Sequence, residues 1–145
     1  VRIAIEADTE AEGFIFTPRA VGGRYVDVRL LEDLYAVQLA RDLELDAIVV
    51  PTRSGTTTRI LAAHRPLAPA VGACADARVC RRMALHWGIV PVHVRESEIK
   101  NWRRICRFIA GRIGLGQPGH DILLVSGFHD DPARNEPVLK LLHMQ

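Results

Sequence analysis

Residues 47–61 read AIVVPTRSGTTTRIL. Four apolar residues run into a cluster of small, polar and basic ones, and a helical pattern then begins. A short apolar run bounded by turn residues reads as a strand buried on both faces. A polar, glycine-containing segment between such a strand and a helix is the opening of a βαβ unit.

Outward from this unit the alternation continues. Residues 56–64 predict a helix stopped before Pro66. APAVGA (68–73) is a second strand, and Asp76 is positioned to cap a helix over 77–87 that Gly88 ends. IVPVHV (89–94) is a strand, and Ser97 is positioned to cap a helix reaching about Ile113. DILLVSG (121–127) and VLKLLHM (138–144) are strands. Upstream, Leu30, Leu31, Leu34, Val37, Leu39 and Ala40 recur at helical spacing after Asp27. Residues 1–11 look helical, and 13–26 read as a loop with a short extended piece at Phe14–Phe16. The connection 128–137 carries two prolines and no helical pattern, so the last strand is expected to run antiparallel to its neighbour. The expected fold is a three-layer α/β/α domain. Its sheet has about five strands, mostly parallel, with an antiparallel last strand.

Length and composition bound the function. At 145 residues the chain suits one domain, and its 48% hydrophobic and 25% charged content is that of an ordinary globular protein. A net charge of +2 makes no case for nucleic acid. No apolar run approaches the roughly 20 residues of a membrane helix. The expectation is therefore no nucleic-acid partner and no membrane. Residues 1–10 lack the basic start and apolar block of a signal peptide. The chain begins on Val1, which fits either processing or a piece of a larger protein. Cys74, Cys80 and Cys106 are odd in number and fit no metal spacing, which reads as free, buried thiols in a reducing cytoplasm. The six histidines are scattered without ligand spacing, so no metal site is expected.

The chemistry-bearing segment is the loop after the first parallel strand. Ligands of open α/β sheets bind beyond the carboxyl ends of the strands, where strand order reverses. A helix N-terminus there offers unpaired N–H groups. Thr52, Ser54, Thr56, Thr57 and Thr58 add hydroxyls, Gly55 admits close approach, and Arg53 and Arg59 add charge. Two readings stand: a phosphate cradle, or a helix cap with surplus hydroxyls. The loop is neither a Walker motif nor a nucleophile elbow, and no catalytic residue is assigned. The segment SGFHDDPARNEP (126–137) offers Ser126, Gly127, Arg134 and Asn135 as contacts on the facing side, against the reading of a solvated loop. Asp130 and Asp131 would repel an anion unless turned away.

The ordered set of motifs resembles the C-terminal α/β domain of pyruvate kinase. The likeness runs through DAIVVPTRSGTTTRILAAHRPLAPAVGACADARVCRRMALHWGIVPVHV (46–94) and GLGQPGHDILLVSG (114–127). It includes a Ser/Thr-x-Ser/Thr-Gly-x-Ser/Thr loop at Thr52–Thr57, Arg65-Pro66, Asp76 and GIVPV at 88–92. RIAIEADTEA (2–11) looks like the helix leading out of that family's catalytic barrel. The resemblance implies that residues 1–26 are a leading helix and loop and that 27–145 form the α/β domain. It implies a regulatory and oligomerisation domain in a cytoplasmic homotetramer. Phosphoryl transfer from phosphoenolpyruvate to ADP would occur on a barrel of about 250 residues, too large for this chain. Mg and K would belong to that full enzyme, with no cofactor in this domain. A phosphorylated effector, a sugar phosphate or nucleotide, would sit on Thr52, Arg53, Ser54, Gly55, Thr56, Thr57 and Arg59. Arg134 and Asn135 would lie in the closing loop, where DDPARNEP (130–137) departs from the family's usual sequence. Two alternatives remain at this point: a sugar-isomerase-type phosphate-binding domain, and a free-standing homologue.

Overall fold

The structure is a computed structural model that describes residues 2–8, 13–19, 28–99, 101–115, 117–126 and 138–144. The elements in chain order are β1 (Arg2–Asp8), β2 (Gly13–Arg19), α1 (Val28–Asp42), β3 (Ala47–Pro51), α2 (Thr56–Ala63) and β4 (Ala70–Cys74). They continue with α3 (Ala77–Met83), β5 (Ile89–His93), α4 (Glu96–Ile99), α5 (Trp102–Ile113), β6 (Asp121–Ser126) and β7 (Val138–His143). Among the described residues they form one sheet in the order β1-β2-β7-β6-β3-β4-β5.

The five strands from β3 to β7 form the expected mixed sheet. β6, β3, β4 and β5 are parallel neighbours, and β7 is antiparallel to β6. Their apolar runs are continuous because both faces are covered. In β3, Ile48 and Val50 face one core while Val49 faces the other; in β6, Leu123 and Val125 oppose Ile122 and Leu124. The first core is closed by α1, α2 and α3 through Ala36, Val37, Ala40, Leu61, Val79 and Met83. The second is closed by α5 through Ile105, Cys106, Ile109 and Ala110. Strand progression explains this division. From β3 to β5 the chain steps one way across the sheet; from β5 to β6 it returns past β4 and β3. Right-handed crossovers with opposite directions of travel put their helices on opposite faces.

The edge strand β5 is protected by its own sequence. Gly88 O accepts from Ala70 N–H, and Val94 N–H donates to Cys74 O. Alternation then turns Pro91 outward, where its missing N–H leaves no ladder bond unmade.

The sequence expectations need three corrections. Residues 2–8 are a strand, not a helix, and 13–19 are a full strand rather than a loop with a short extended piece. β1 and β2 pair antiparallel from Arg2↔Arg19 to Asp8↔Gly13, and β2 joins β7 at Ile15↔Lys140 and Phe16↔Leu139. Pairing of β1 with β2, itself held by the distant β7, overrides the helical propensity of a segment containing Ala and Glu. The third parallel unit also differs. Its helical stretch splits into α4 and α5, and the cap of the long helix is Asn101, whose side chain accepts from Arg104 N–H at 3.2 Å, rather than Ser97. Finally, α3 ends at Met83, before the expected 87. Leu85 N–H→Arg82 O and His86 N–H→Met83 O are three-residue bonds that tighten the chain toward Gly88.

Asp76 does cap α3, accepting from Arg78 N–H at 2.7 Å. Asp76→Ala is expected to cost about 1 kcal/mol in urea unfolding, the usual loss for an N-cap. An unchanged midpoint would mean that solvent replaces the cap.

Candidate functional site

β3 delivers the loop 52–55 to the carboxyl edge of the sheet, between β6 on one side and β4 on the other. The helices before β6 and after β3 lie on opposite faces, so this is the switch point of the fold.

The loop is built by its own polar atoms. Thr52, 8% exposed, accepts from Gly55 N–H through its Oγ1 at 2.8 Å. This bond folds the segment back so that Gly55 adopts φ 81, the left-handed region. A Cβ at Gly55 would also meet Met83 Cγ at 3.2 Å and Val79 Cγ1 at 3.5 Å. The backbone angle requires glycine here, and a Cβ would in addition press on the Met83 side chain. Thr58, fully buried, donates its hydroxyl to Gly55 O at 2.8 Å. Thr52 and Thr58 therefore spend their hydroxyls on the loop itself.

The remaining groups are differently placed. Ser54 Oγ and Thr56 Oγ1 are 2.9 Å apart on the exposed rim. Arg53 and Arg59 are exposed. Gly55 is the N-cap of α2 and supplies no side-chain bond; Thr56 N–H has only a long contact to Ser54 Oγ at 3.4 Å. Among the described residues, the N–H groups of Thr57 and Thr58 find no acceptor. Thr57 is 6% exposed, and its hydroxyl has no hydrogen-bond partner among the described residues. A buried hydroxyl without a partner costs roughly 1–3 kcal/mol, so natural folds leave few of them. Thus the Thr57 hydroxyl and two helix N–H groups are donors without an acceptor among the described residues, gathered at one helix start. They carry the partial positive charge of α2 with them.

Elsewhere the surface is less organised. A concavity of about 580 Å³ on the outer side of α3 is lined by Asp76, Arg78, Arg81, Arg82 and Leu85. It does not include the 52–58 loop, and its lining charges are exposed. The loop is the stronger candidate because it holds donors without a partner among the described residues, one of them the buried Thr57 hydroxyl.

Of the facing contacts, Ser126 ends β6 and is half-buried. Gly127, Arg134 and Asn135 lie outside the described residues. Among the described residues, no group of three or more His, Cys, Asp or Glu side chains could hold a metal ion. No helix there is long and apolar enough to cross a membrane.

The expectation of three free thiols is overturned. Cys74 and Cys80 are joined as a disulfide, with Cα atoms 6.3 Å apart. Cys74 ends β4 and Cys80 lies on α3, so the strand-to-helix turn brings them together. Cys106 is free and buried, and burial pushes its thiol from 9.0 up to about 12. Sequence reasoning also missed the contact of α3 with Gly55; the spacing of Val79 and Met83 signals a buried face but not what it covers.

Fold and loop together define a doubly wound α/β domain with a donor-rich helix start at its switch point. A family model described as pyruvate kinase, alpha/beta domain, matches residues 34–139. The pyruvate kinase of Clostridium acetobutylicum is 31% identical over 91 residues, covering 63% of this chain and 19% of that protein. That of Lactococcus lactis is 29% identical over 89 residues, covering 61% and 18%. That of Geobacillus stearothermophilus is 44% identical over 50 residues, covering 34% and 8%. The chain belongs to the pyruvate kinase alpha/beta domain family, in preference to the sugar-isomerase type. It spans about a fifth of the length of the first two of these curated relatives.

Proposed function

We propose that this is the regulatory and oligomerisation domain of a pyruvate kinase, binding a phosphorylated effector on the 52–58 loop. Phosphoryl transfer from phosphoenolpyruvate to ADP, with its Mg and K, would belong to a separate barrel, and the assembly would be a cytoplasmic homo-oligomer. Residues 1–26 would lead from that barrel into the regulatory unit 27–145, with β1 and β2 extending its sheet. The observation that carries the effector site is the buried Thr57 hydroxyl, which has no hydrogen-bond partner among the described residues, beside the Thr57 and Thr58 N–H groups, which find no acceptor among them. A phosphate offers several acceptor oxygens and a negative charge, and it answers all three donors and the helix dipole at once. Ser54, Thr56, Arg53 and Arg59 on the rim suit a second, solvent-facing set of contacts. Arg134 and Asn135 are the proposed contacts from the segment before β7.

Thr57→Val tests this reading because it keeps shape and removes the hydroxyl. Calorimetric titration with a sugar bisphosphate or a nucleotide is expected to show affinity lowered roughly 10- to 100-fold, the value of a hydrogen bond to a charged group. Without ligand the variant is expected to be as stable as wild type or slightly more so, since an unpaired buried polar group has been removed. Unchanged affinity for every ligand that the wild type binds would count against the site.

A further inference from the structure

We propose that the Cys74–Cys80 pair is a thiol switch acting on the 52–58 loop; this rests on the effector-site reading above. The disulfide joins the last residue of β4 to α3. α3 is also the wall behind the loop. Val79 precedes Cys80 and lies against Gly55, and Met83 lies against both Gly55 and Gly72 of β4. The bond is thus one residue from a direct contact with the glycine whose left-handed backbone shapes the loop. Closed, it pins α3 to β4 and holds that wall in place. Open, α3 is a seven-residue helix that keeps its Asp76 cap and its Val79 and Met83 packing but loses its covalent tie.

The open state is provided for. Asp76 O lies 3.1 Å from Cys74 Sγ, and Cys74 O lies 3.8 Å from Cys80 Sγ, so each reduced thiol has a carbonyl acceptor. Access is one-sided, since Cys74 is fully buried and Cys80 is half-buried. A small dithiol or protein dithiol reductant would attack Cys80 Sγ as a thiolate, forming a mixed disulfide and releasing Cys74 as a thiolate that takes up a proton. The second thiol of the reductant then displaces Cys80. The protein gains two electrons and two protons, and the reductant leaves as its own disulfide. A small-molecule disulfide reverses the exchange. Disulfides in a cytoplasmic setting are commonly transient or redox-sensing rather than structural.

The test uses the full chain, oxidised and dithiothreitol-reduced, with Cys80→Ser as a variant that cannot close the bond. Backbone amide exchange of residues 52–58 is expected to quicken roughly three- to tenfold on reduction, and the variant is expected to match the reduced protein with or without reductant. Equal exchange in both redox states of the wild type overturns the proposal. So does a variant whose loop still responds to reductant, or an oxidised protein whose intact mass shows no bond between these cysteines. Titration with inorganic phosphate separates the two readings. Weaker binding after reduction supports the switch. Absence of phosphate binding in both states, with exchange still redox-dependent, sinks the effector site and leaves the Cys74–Cys80 coupling to the loop standing.

Discussion

Gly55→Val is expected to abolish effector binding and to destabilise the domain by about 2–6 kcal/mol, from two costs of similar size. The first is conformational. Gly55 sits at φ 81, where a β-branched residue is a genuine outlier. The second is steric. A Cβ alone would stand 3.2 Å from Met83 Cγ, which must give by a few tenths of an ångström, and 3.5 Å from Val79 Cγ1, and valine adds two methyl groups beyond it. Both costs fall on the residue whose N–H is held by Thr52 and whose carbonyl takes the Thr58 hydroxyl and the Arg59 N–H. The loop therefore cannot adjust locally. Urea unfolding measures the loss, and calorimetry with the ligand bound by wild type measures the binding. A loss below about 1 kcal/mol, the ordinary value for a surface change, would mean that α3 yields readily and that the loop is not templated by it.

The second large effect is alkaline. Cys106 is 1% exposed in the core beneath α5, and burial raises its thiol from 9.0 to about 12. Below pH 9 the folded and unfolded chains both hold the proton, and the thiol contributes its full share of stability. Above pH 9 the unfolded chain releases the proton and the folded chain keeps it, so stability falls as pH rises toward 12. The full loss is on the order of 4 kcal/mol. Cys106→Ala removes this dependence and leaves every other residue of the chain in place. Unfolding free energies measured from pH 8 to pH 11 should fall less steeply in the variant, by close to one proton. Parallel slopes would show that the Cys106 thiol ionises in the folded core as easily as in water.

The elements from β3 to β7 were legible because each carries a local signature of its final environment. AIVV and DILLVS are unbroken apolar runs since both faces of a central parallel strand are covered. Asp76 could be recognised as a cap because its acceptor serves a donor two residues away. The N-terminal hairpin was not legible, because the partner that makes 13–19 a strand is β7, near the other end of the chain. Asn101 and Ser97 were not separable by sequence, since both residue types cap helices and only the break between α4 and α5 selects one.

The candidate site divides in the same way. The sequence by itself determined that hydroxyls, a glycine and two arginines follow a buried strand and open a helix, because their order and spacing are local. Only the tertiary structure decided what each threonine does. Thr52 and Thr58 turn inward onto the Gly55 backbone, while Thr57 is buried without a partner among the described residues. Chemically identical side chains differ in role through burial and angle, and the glycine that Thr52 and Thr58 hold packs against α3, a segment that lies beyond the next strand. The same packing joined two cysteines that composition alone reads as free thiols.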